Sequence, residues 1–327
     1  MKPVGKTIME RIEDTYAEAF DGIYSRILIT AERGLTHEDT RGPRIEYDPL
    51  RFVAYRSTST PSTVVGRLEA GVEKWMPGER TPDGREGVVL QYWGMFDNNK
   101  PVEGQAEKFF KEMSIRIRQD ILSAAGGTTR VFDWMRGEDR AGAICHIDTE
   151  ERVGRCGGGY ETFSTEYGKE IITIPLMSGD DFKIDRDIGI GLGVSGANFW
   201  IMCDSPKSGR LAGNEVIRAM KCVRGVITPF YSCPSGSTTE NYKPIGPPTN
   251  YRFCPTLKNK ITDSKVPEGV KSIPEIVIDG VDLPTVKEAM KVGISAALEV
   301  KGVVAISAGN YEGKLGRYKI GLRDLFV

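Results

Sequence analysis

Residues 273–308 read I-P-E-I-V-I-D-G-V-D-L-P-T-V-K-E-A-M-K-V-G-I-S-A-A-L-E-V-K-G-V-V-A-I-S-A, a long amphipathic segment between two short β-branched runs. The central segment, 283–300, has apolar side chains at the i, i+3, i+4 and i+7 spacing of a helix that buries one face. Asp282 is suited to cap its first turn. The flanking runs, 273–278 and 303–308, have the composition of strands. This stretch therefore predicts a β-α-β unit with tight connections.

A weaker copy of the same pattern lies upstream, with a strand at 199–203, a helix at 210–223 and a strand at 226–231. In each copy a glycine, Gly225 or Gly302, separates the helix from the next strand, in the matching contexts V-R-G-V and V-K-G-V. Glycine adopts the left-handed conformation that ends a helix without a steric penalty. Two such units in a row predict a ferredoxin-like α/β sandwich, β-α-β-β-α-β.

The N-terminal half is less periodic. Its clearest element is a predicted helix at 107–124, which Gly126 and Gly127 would close. Residues 64–72 and 88–93 favour strands. Residues 33–61 are rich in Thr, Arg and Pro and predict a long excursion from the regular fold.

A glycine-rich stretch and a strand-like run precede the C-terminal pattern, which places a boundary near residue 175. We therefore expect an N-terminal lobe, 1–175, and a C-terminal lobe, 176–327. The expected class is α+β, with two ferredoxin-like α/β sandwich lobes whose mainly antiparallel sheets are flanked by helices.

Composition limits the possible partners. The 327 residues include 44 Lys and Arg against 45 Asp and Glu, a net charge of −1, so no basic field favours nucleic acid or an anionic membrane. No apolar run approaches the roughly 20 residues that span a bilayer, and the N-terminus lacks the apolar core of a secretion signal. We expect a cytoplasmic protein. With two histidines and no C-x-x-C pair, metal-free chemistry is the working hypothesis.

The C-terminal segment 306–326, I-S-A-G-N-Y-E-G-K-L-G-R-Y-K-I-G-L-R-D-L-F, places a Gly/Asn turn between two strand-like runs. The first run stops at Ser307, and the turn carries Asn310, Lys314 and Arg317. Backbone N–H groups and cations gathered at a sheet edge suit an anionic ligand. The alternative is a surface hairpin with two solvated cations.

The segment G-L-G-V-S-G, 191–196, matches the spacing of a dinucleotide-binding loop, but a strand-like run follows where a helix is required. The segment therefore does not favour a nucleotide site. A bend where backbone approaches a ligand would use Ser195 and Gly196, with Asn198 offering its amide. A plain bulge or tight turn is the alternative.

Glu275 is the strongest candidate for a functional carboxylate, because it lies in a short apolar strand. Apolar surroundings raise the pKa of a carboxyl group and make it a candidate general acid or base. The preceding Pro274 leaves open a solvent-facing position on an edge strand. Thr249 and Asn250 belong to a rigid polar loop, P-P-T-N-Y, that is either the rim of a binding site or a plain connecting turn.

An acidic cluster near the N-terminus contains Asp14 and Glu18 at helical spacing. Such a cluster is typical of a solvated face or a helix start. It lies in the segment I-E-D-T-Y-A-E-A-F, 12–20, which is one of four distinctive motifs in the chain.

The other three motifs are G-V-S-G-A-N-F-W-I-M at 193–202, V-P-E-G-V-K-S-I-P-E-I-V-I-D-G at 266–280 and V-V-A-I-S-A-G-N-Y-E-G-K-L-G at 303–316. With these motifs the chain resembles the formylmethanofuran:tetrahydromethanopterin formyltransferases of archaeal C1 metabolism. The resemblance implies a two-lobed α/β enzyme, with a distal N-terminal and a proximal C-terminal lobe. It also implies a homo-oligomer, typically a tetramer, with no bound cofactor.

The resemblance implies that a formyl group moves from the amine of methanofuran to N5 of tetrahydromethanopterin, the two C1 carriers that serve as substrates. The catalytic glutamate of the family falls on Glu275, because the context E-I-V-I-x-G matches. Asn198 and Asn310 become candidate donors to the oxyanion, and Lys314 and Arg317 candidate partners of the anionic carrier tails. Alternatives are a subunit of a formyltransferase/hydrolase complex that releases formate, or a non-catalytic pterin-binding scaffold.

Overall fold

The computed structural model describes residues 8–32, 48–59, 68–123, 128–135, 142–236, 238 and 248–327. The strands are β1 (Tyr16–Thr30), β2 (Glu69–Met76), β3 (Gly87–Met95), β4 (Arg130–Asp133), β5 (Cys145–Asp148), β6 (Thr162–Glu166), β7 (Lys169–Pro175), β8 (Asp181–Asp185), β9 (Asp187–Cys203), β10 (Val226–Ile227), β11 (Glu275–Gly280), β12 (Val303–Ser307) and β13 (Tyr318–Gly321). The helices are α1 (Pro49–Thr58), α2 (Val102–Arg116), α3 (Pro206–Met220) and α4 (Leu283–Glu299). Short 3-10 turns lie at Met9–Arg11, Gly78–Arg80, Gly154–Gly157, Tyr251–Phe253, Pro255–Leu257 and Arg323–Phe326.

The chain divides into two compact units. The C-terminal unit joins the residues up to Gly22 with Gly193–Val327, and the N-terminal unit comprises Ile23–Leu192. The long strands β1 and β9 each supply residues to both units.

The C-terminal unit has the predicted ferredoxin-like topology. Its elements follow the order β9-α3-β10-β11-α4-β12, and its strands lie side by side as β10-β11-β9-β12. Strand β9 is antiparallel to both β11 and β12, so the unit β11-α4-β12 is a β-α-β unit split by β9. Helices α3 and α4 pack against each other and bury one face of this sheet, in a core that includes Phe199, Ile276 and Ile294.

The predicted helix boundaries are largely confirmed here. Asp282 caps α4, since its Oδ1 accepts a hydrogen bond from the Thr285 N–H at 2.7 Å. After α4 the backbone at Gly302 has a φ of 95°, a conformation that glycine adopts freely. Helix α3 begins four residues earlier than expected, because Ser205 caps it through the Ser208 N–H.

The strand predicted at 226–231 is reduced to Val226–Ile227. Pro229 lies two residues further on and has no N–H to donate to a neighbouring strand, which explains the early end.

The N-terminal unit repeats the same topology. Its first elements run β1-α1-β2-β3-α2-β4, and β3 pairs with both β1 and β2 while β4 pairs with β1. The resulting order, β2-β3-β1-β4, is the ferredoxin-like order again, so the expected fold class of two such lobes in an α+β protein is confirmed. Strands β6, β7 and β8 extend this sheet beyond β4.

Some predictions for this half lie partly outside the described residues. Of the excursion 33–61, only 48–59 is described, and most of it forms helix α1. Residues 64–67 of the predicted strand 64–72 lie outside the described residues. So do Gly126 and Gly127, which were expected to close the helix 107–124. Helix α2 starts at Val102 and continues as a π-helix over Ile117–Leu122. Within the described residues, no helix has both the length and the apolar character needed to span a bilayer.

Candidate active site

A row of three side chains crosses the C-terminal sheet. Trp200 of β9 lies opposite Glu275 of β11 on one side and opposite Ser307 of β12 on the other. Register partners in antiparallel strands project to the same face of the sheet. Since Phe199 and Ile201 of β9 point into the core with α3 and α4, this row projects from the face that the helices leave uncovered.

Glu275 is buried in this row. The residue is only 4 % exposed, and its Oε1 accepts a hydrogen bond from the Trp200 indole N–H at 3.0 Å. Its backbone also exchanges two hydrogen bonds of 2.8 Å with Cys233, on the side away from β9. Neighbouring backbone therefore covers both sides of Glu275. The alternative of a solvent-facing position on an edge strand, which Pro274 had left open, is wrong.

Two clefts meet at Trp200. One, of about 610 Å³, is lined by Glu275, Arg210 and Lys271. The other, of about 690 Å³, is lined by Ser307 and groups of the C-terminal loop. Among the described residues, three line both clefts, namely Trp200, Asn250 and Phe253.

The partition between the clefts is aromatic, because the rings of Trp200 and Phe253 meet edge to face with centroids 4.6 Å apart. Both volumes are in the range of small-molecule sites in proteins. Within the described chain, the clefts place a buried carboxylate beside space for two ligands.

Residues 309–316, here called the C-terminal loop, form one wall of the larger cleft with Asn310 and Lys314. The predicted gathering of backbone N–H groups is present, and the anion it binds is the carboxylate of Glu18 in β1. Glu18 Oε1 accepts from Tyr311 at 2.7 Å and Gly313 at 2.5 Å. Its Oε2 accepts from Leu315 at 3.1 Å and Gly316 at 2.6 Å.

Glu18 is fully buried. Burial alone raises the pKa of a carboxyl group, but the four backbone hydrogen bonds lower the pKa of Glu18 below its ordinary value. The suggested helix face shared by Asp14 and Glu18 is wrong, because Glu18 lies within β1, where it pairs opposite Lys319 of β13, and Asp14 precedes that strand.

Two cations of the C-terminal segment, Lys314 and Arg317, are paired with carboxylates. The Lys314 ammonium lies 2.5 Å from Glu312 and is largely exposed. The Arg317 guanidinium lies 2.9 Å from Asp21. Of the two, Lys314 lines the larger cleft.

The glycine-rich segment lies inside β9. Gly196 has a φ of 72°, its N–H donates to Asp279 Oδ1 at 2.8 Å, and the pairing of β9 with β11 shifts register nearby. This is the bulge that was the alternative to a ligand-binding bend. Ser195 beside it is buried.

The Asn198 amide is engaged with the backbone of Gly309, donating to its carbonyl at 3.1 Å and accepting from its N–H at 2.6 Å. Thr249 donates its hydroxyl to the Ser235 carbonyl at 2.8 Å. Asn310 donates its side-chain amide to the Tyr16 carbonyl at 3.2 Å. The structure thus brings Asn250, Ser307, Asn310 and Lys314 to the clefts, and it places Asn198 beneath the wall of one of them.

Sequence reasoning missed Trp200 and Phe253. Trp200 belongs to the F-W-I-M-C run and lies two residues after Asn198. Side chains two residues apart on a strand share a face, so this relation could have been found from the sequence. Phe253 gave no such signal, because it lies in a 3-10 turn of an irregular segment.

Fold and site together define an α+β protein of two ferredoxin-like units, in which two ligand-sized clefts meet at a tryptophan and a buried carboxylate lines one of them. A family model described as "Formylmethanofuran-tetrahydromethanopterin formyltransferase" matches residues 7–176, and one described as "FTR, proximal lobe" matches residues 180–325. The chain belongs to the formylmethanofuran–tetrahydromethanopterin formyltransferase family.

Two relatives from Archaeoglobus fulgidus are informative together. The chain is 46 % identical to a formylmethanofuran–tetrahydromethanopterin formyltransferase-like protein, with 96 % of each chain covered. It is 35 % identical to the formylmethanofuran–tetrahydromethanopterin formyltransferase of the same organism, with 96 % of this chain and 98 % of that protein covered.

Two solved structures share the fold. The formyltransferase of Methanosarcina barkeri superposes with a TM-score of 0.78 at 33 % identity, covering 97 % of this chain and 98 % of that one. A chain of the formyltransferase/hydrolase complex of Methylorubrum extorquens, solved with methylofuran, has the same TM-score at 27 % identity, covering 97 % and 96 %.

Proposed function

We propose that this chain is a formyltransferase that moves a formyl group between methanofuran and N5 of tetrahydromethanopterin. The observation that carries this proposal is the row of Ser307, Trp200 and Glu275 across three strands, with one cleft on each side of Trp200. A reaction between two carriers needs two binding spaces that meet at one acid–base group.

The reaction balances without a bound cofactor. The pterin N5 attacks the formyl carbon and forms a tetrahedral intermediate with an oxyanion, and the bond from that carbon to the methanofuran nitrogen then breaks. N5 loses a proton and the leaving amine gains one. Glu275 lines the smaller cleft beside Trp200, where the two clefts meet, and it is the group we assign to carry this proton.

Trp200 has a supporting part in this mechanism. Its indole N–H holds one oxygen of Glu275, which fixes the orientation of the carboxyl group. Much of the remaining rate comes from holding the two amines in line, since well-oriented reactants gain roughly 7–11 kcal/mol.

The oxyanion needs a hydrogen-bond donor already in place. The amides of Asn198 and Asn310 are engaged with Gly309 and Tyr16, which favours a supporting role for both. Ser307 lines the larger cleft next to Trp200, and we assign its hydroxyl as the donor to the oxyanion.

The anionic tails of the carriers need cations. Lys265, Arg252 and Lys314 line the larger cleft, and Arg210 and Lys271 line the smaller one. Each cleft therefore has a cationic side for one tail, a distribution that supports one carrier per cleft.

The direct test uses the purified chain with formylmethanofuran and tetrahydromethanopterin, following the 5-formyl product by ultraviolet absorbance. The Glu275→Gln variant keeps the size of the side chain and removes its proton-transfer ability. We expect its kcat to fall by about 10²–10⁴-fold. Glu299→Gln, at an exposed position on α4, is the matched control and should match the unaltered protein. Normal affinity with undiminished turnover in Glu275→Gln would remove the glutamate from the mechanism.

A second candidate function follows from the identities. The chain is more similar to the formyltransferase-like protein of Archaeoglobus fulgidus than to the formyltransferase of that organism. On this pattern we base a second candidate, a diverged member of the family that binds the pterin without transferring formyl. Calorimetry distinguishes the two, because tight tetrahydromethanopterin binding without turnover would support this second candidate.

The likeness to a chain of a formyltransferase/hydrolase complex supports the further alternative of a subunit that hands its formyl group to a hydrolase. A metal-dependent hydrolase co-purifying with the chain would support it. From the family resemblance we also propose that the protein is cytoplasmic and forms a homotetramer. Light scattering on the purified chain tests the oligomeric state directly.

A further inference from the structure

We propose that Glu18 is a positioning residue, which clamps the C-terminal loop 309–316 so that the loop presents its side chains to the larger cleft. The inference rests on the proposed function of that cleft as a carrier site. The inference is based on geometry, because one buried carboxylate from β1 binds four backbone N–H groups of a loop about 295 positions away in sequence.

The loop needs an external anchor, because its own backbone is strained. Glu312 has a φ of 59°, which is costly for a residue with a Cβ, and Gly313 has a φ of 74°. Such conformations persist only where the surroundings over-determine them. The N–H groups of Tyr311 and Gly313, on either side of Glu312, both bind Glu18 Oε1.

The fit of the carboxylate into the loop is close. A Cβ added at Gly316 would lie 2.7 Å from the Cβ of Glu18 and 2.9 Å from the Ala19 carbonyl oxygen. The absence of a side chain at Gly316 is therefore what lets its N–H reach Glu18 Oε2 at 2.6 Å.

A second buried side chain holds the start of the loop. Asn198 of β9 makes its two hydrogen bonds to Gly309, directly before Asn310. Two strands of the sheet thus hold the loop at both ends, and the residues between the anchors include Asn310, Tyr311 and Lys314, all of which line the cleft.

A carboxylate is required for this clamp. Both oxygens accept from two N–H groups each, so a glutamine of the same shape would turn an NH₂ donor toward one pair of donors. We therefore expect Glu18→Gln to keep one half of the clamp and to lose the other.

The test measures the loop and the site separately. In the unaltered protein, hydrogen exchange should be slow at the amides of Tyr311, Gly313, Leu315 and Gly316, although the loop borders an open cleft. In Glu18→Gln these amides should exchange at least about tenfold faster, as expected for loss of hydrogen bonds to a charged group. Trypsin should then cleave after Lys314. Asp14→Asn makes the same change of charge at an exposed carboxylate nearby and should leave both readouts unchanged.

The site readout is the division of the kinetic effect. If Glu18 is a positioning residue, Glu18→Gln should raise the KM for at least one carrier about tenfold and change kcat far less. The melting temperature of the variant should stay close to that of the unaltered protein. Fast exchange at the four amides in the unaltered protein would overturn the clamp, even if the variant failed to fold. An opened loop with unchanged KM would overturn its role in the site.

The two proposals fail separately. If the unaltered chain neither transfers formyl nor binds tetrahydromethanopterin in calorimetry, the proposed function is wrong, and the exchange rates still decide whether Glu18 clamps the loop.

Discussion

At the scale of single residues, Glu275 and Glu18 show how two buried carboxylates acquire different tasks. Glu275 accepts a hydrogen bond from an indole N–H at the smaller cleft and has the setting of an acid–base group. Glu18 meets four backbone N–H groups, which lower its pKa and keep it ionised, so it is suited to structure and unsuited to proton transfer.

The Trp200–Glu275 hydrogen bond gives the first residue-scale prediction. Trp200→Phe keeps an aromatic ring in the partition and removes the N–H that orients Glu275. We expect kcat to fall about tenfold and the free energy of unfolding to fall by about 1–3 kcal/mol, because a buried carboxyl group loses a hydrogen-bond donor. Trp75→Phe, at a half-exposed position on β2, is the control and should change neither quantity. Equal kcat values in both variants would show that the indole N–H has no part in the reaction.

Asp185 in the N-terminal unit gives a prediction of pH dependence. Burial raises the pKa of Asp185 to about 6, although the Lys169 ammonium 2.5 Å away and the Asp133 N–H partly oppose the shift. The folded state therefore holds more protons than the unfolded state between the ordinary value of about 3.9 and about 6. The free energy of unfolding should fall by up to about 3 kcal/mol from this group as pH rises through that window.

Asp185→Asn should remove this dependence. An asparagine at this position does not titrate, so any cost of losing the contact with Lys169 is a constant offset and the slope remains diagnostic. Thermal unfolding at several pH values between 4 and 6 measures that slope. Asp187→Asn, an exposed neighbour on β9, should follow the unaltered protein. A parallel curve for Asp185→Asn would contradict the assignment.

At the scale of elements, local pattern predicted helices better than strands. The helix α4 and its Asp282 cap follow from spacing within one segment. The strand β9 does not, because its glycine-rich half is held by partners distant in sequence, such as Asp279 at Gly196. Likewise Glu18 looked solvated, since the loop that binds it lies almost 300 residues away.

The cap of α4 gives the element-scale prediction. Asp282→Ala leaves the Thr285 N–H without its acceptor and should lower the free energy of unfolding by about 0.5–2 kcal/mol. Asp282→Asn, an equally good cap, should stay close to the unaltered protein. Denaturant titrations of the two variants make the comparison, and equal losses would indicate that charge, not capping, is at work.

At the scale of the whole molecule, the same strand order is built twice from unlike sequences. The C-terminal copy could be predicted, because its helices are strongly periodic and end in matching V-x-G-V junctions. For the N-terminal copy only the fold class was expected, and its elements could not be traced in advance, because α1 falls within a stretch of ambiguous composition. Of the candidate site, Glu275, Asn250, Ser307, Asn310 and Lys314 could be placed from motifs, whereas the Trp200 partition required knowledge of strand pairing.

The most direct test of the central claim is formyl transfer by the purified chain alone, with formylmethanofuran and tetrahydromethanopterin as the two carriers. The account predicts a 5-formyl product that Glu275→Gln abolishes nearly completely and Glu299→Gln leaves intact. A folded chain that binds the pterin and yields no product would contradict it, and would support the second candidate, a pterin-binding protein without transferase activity.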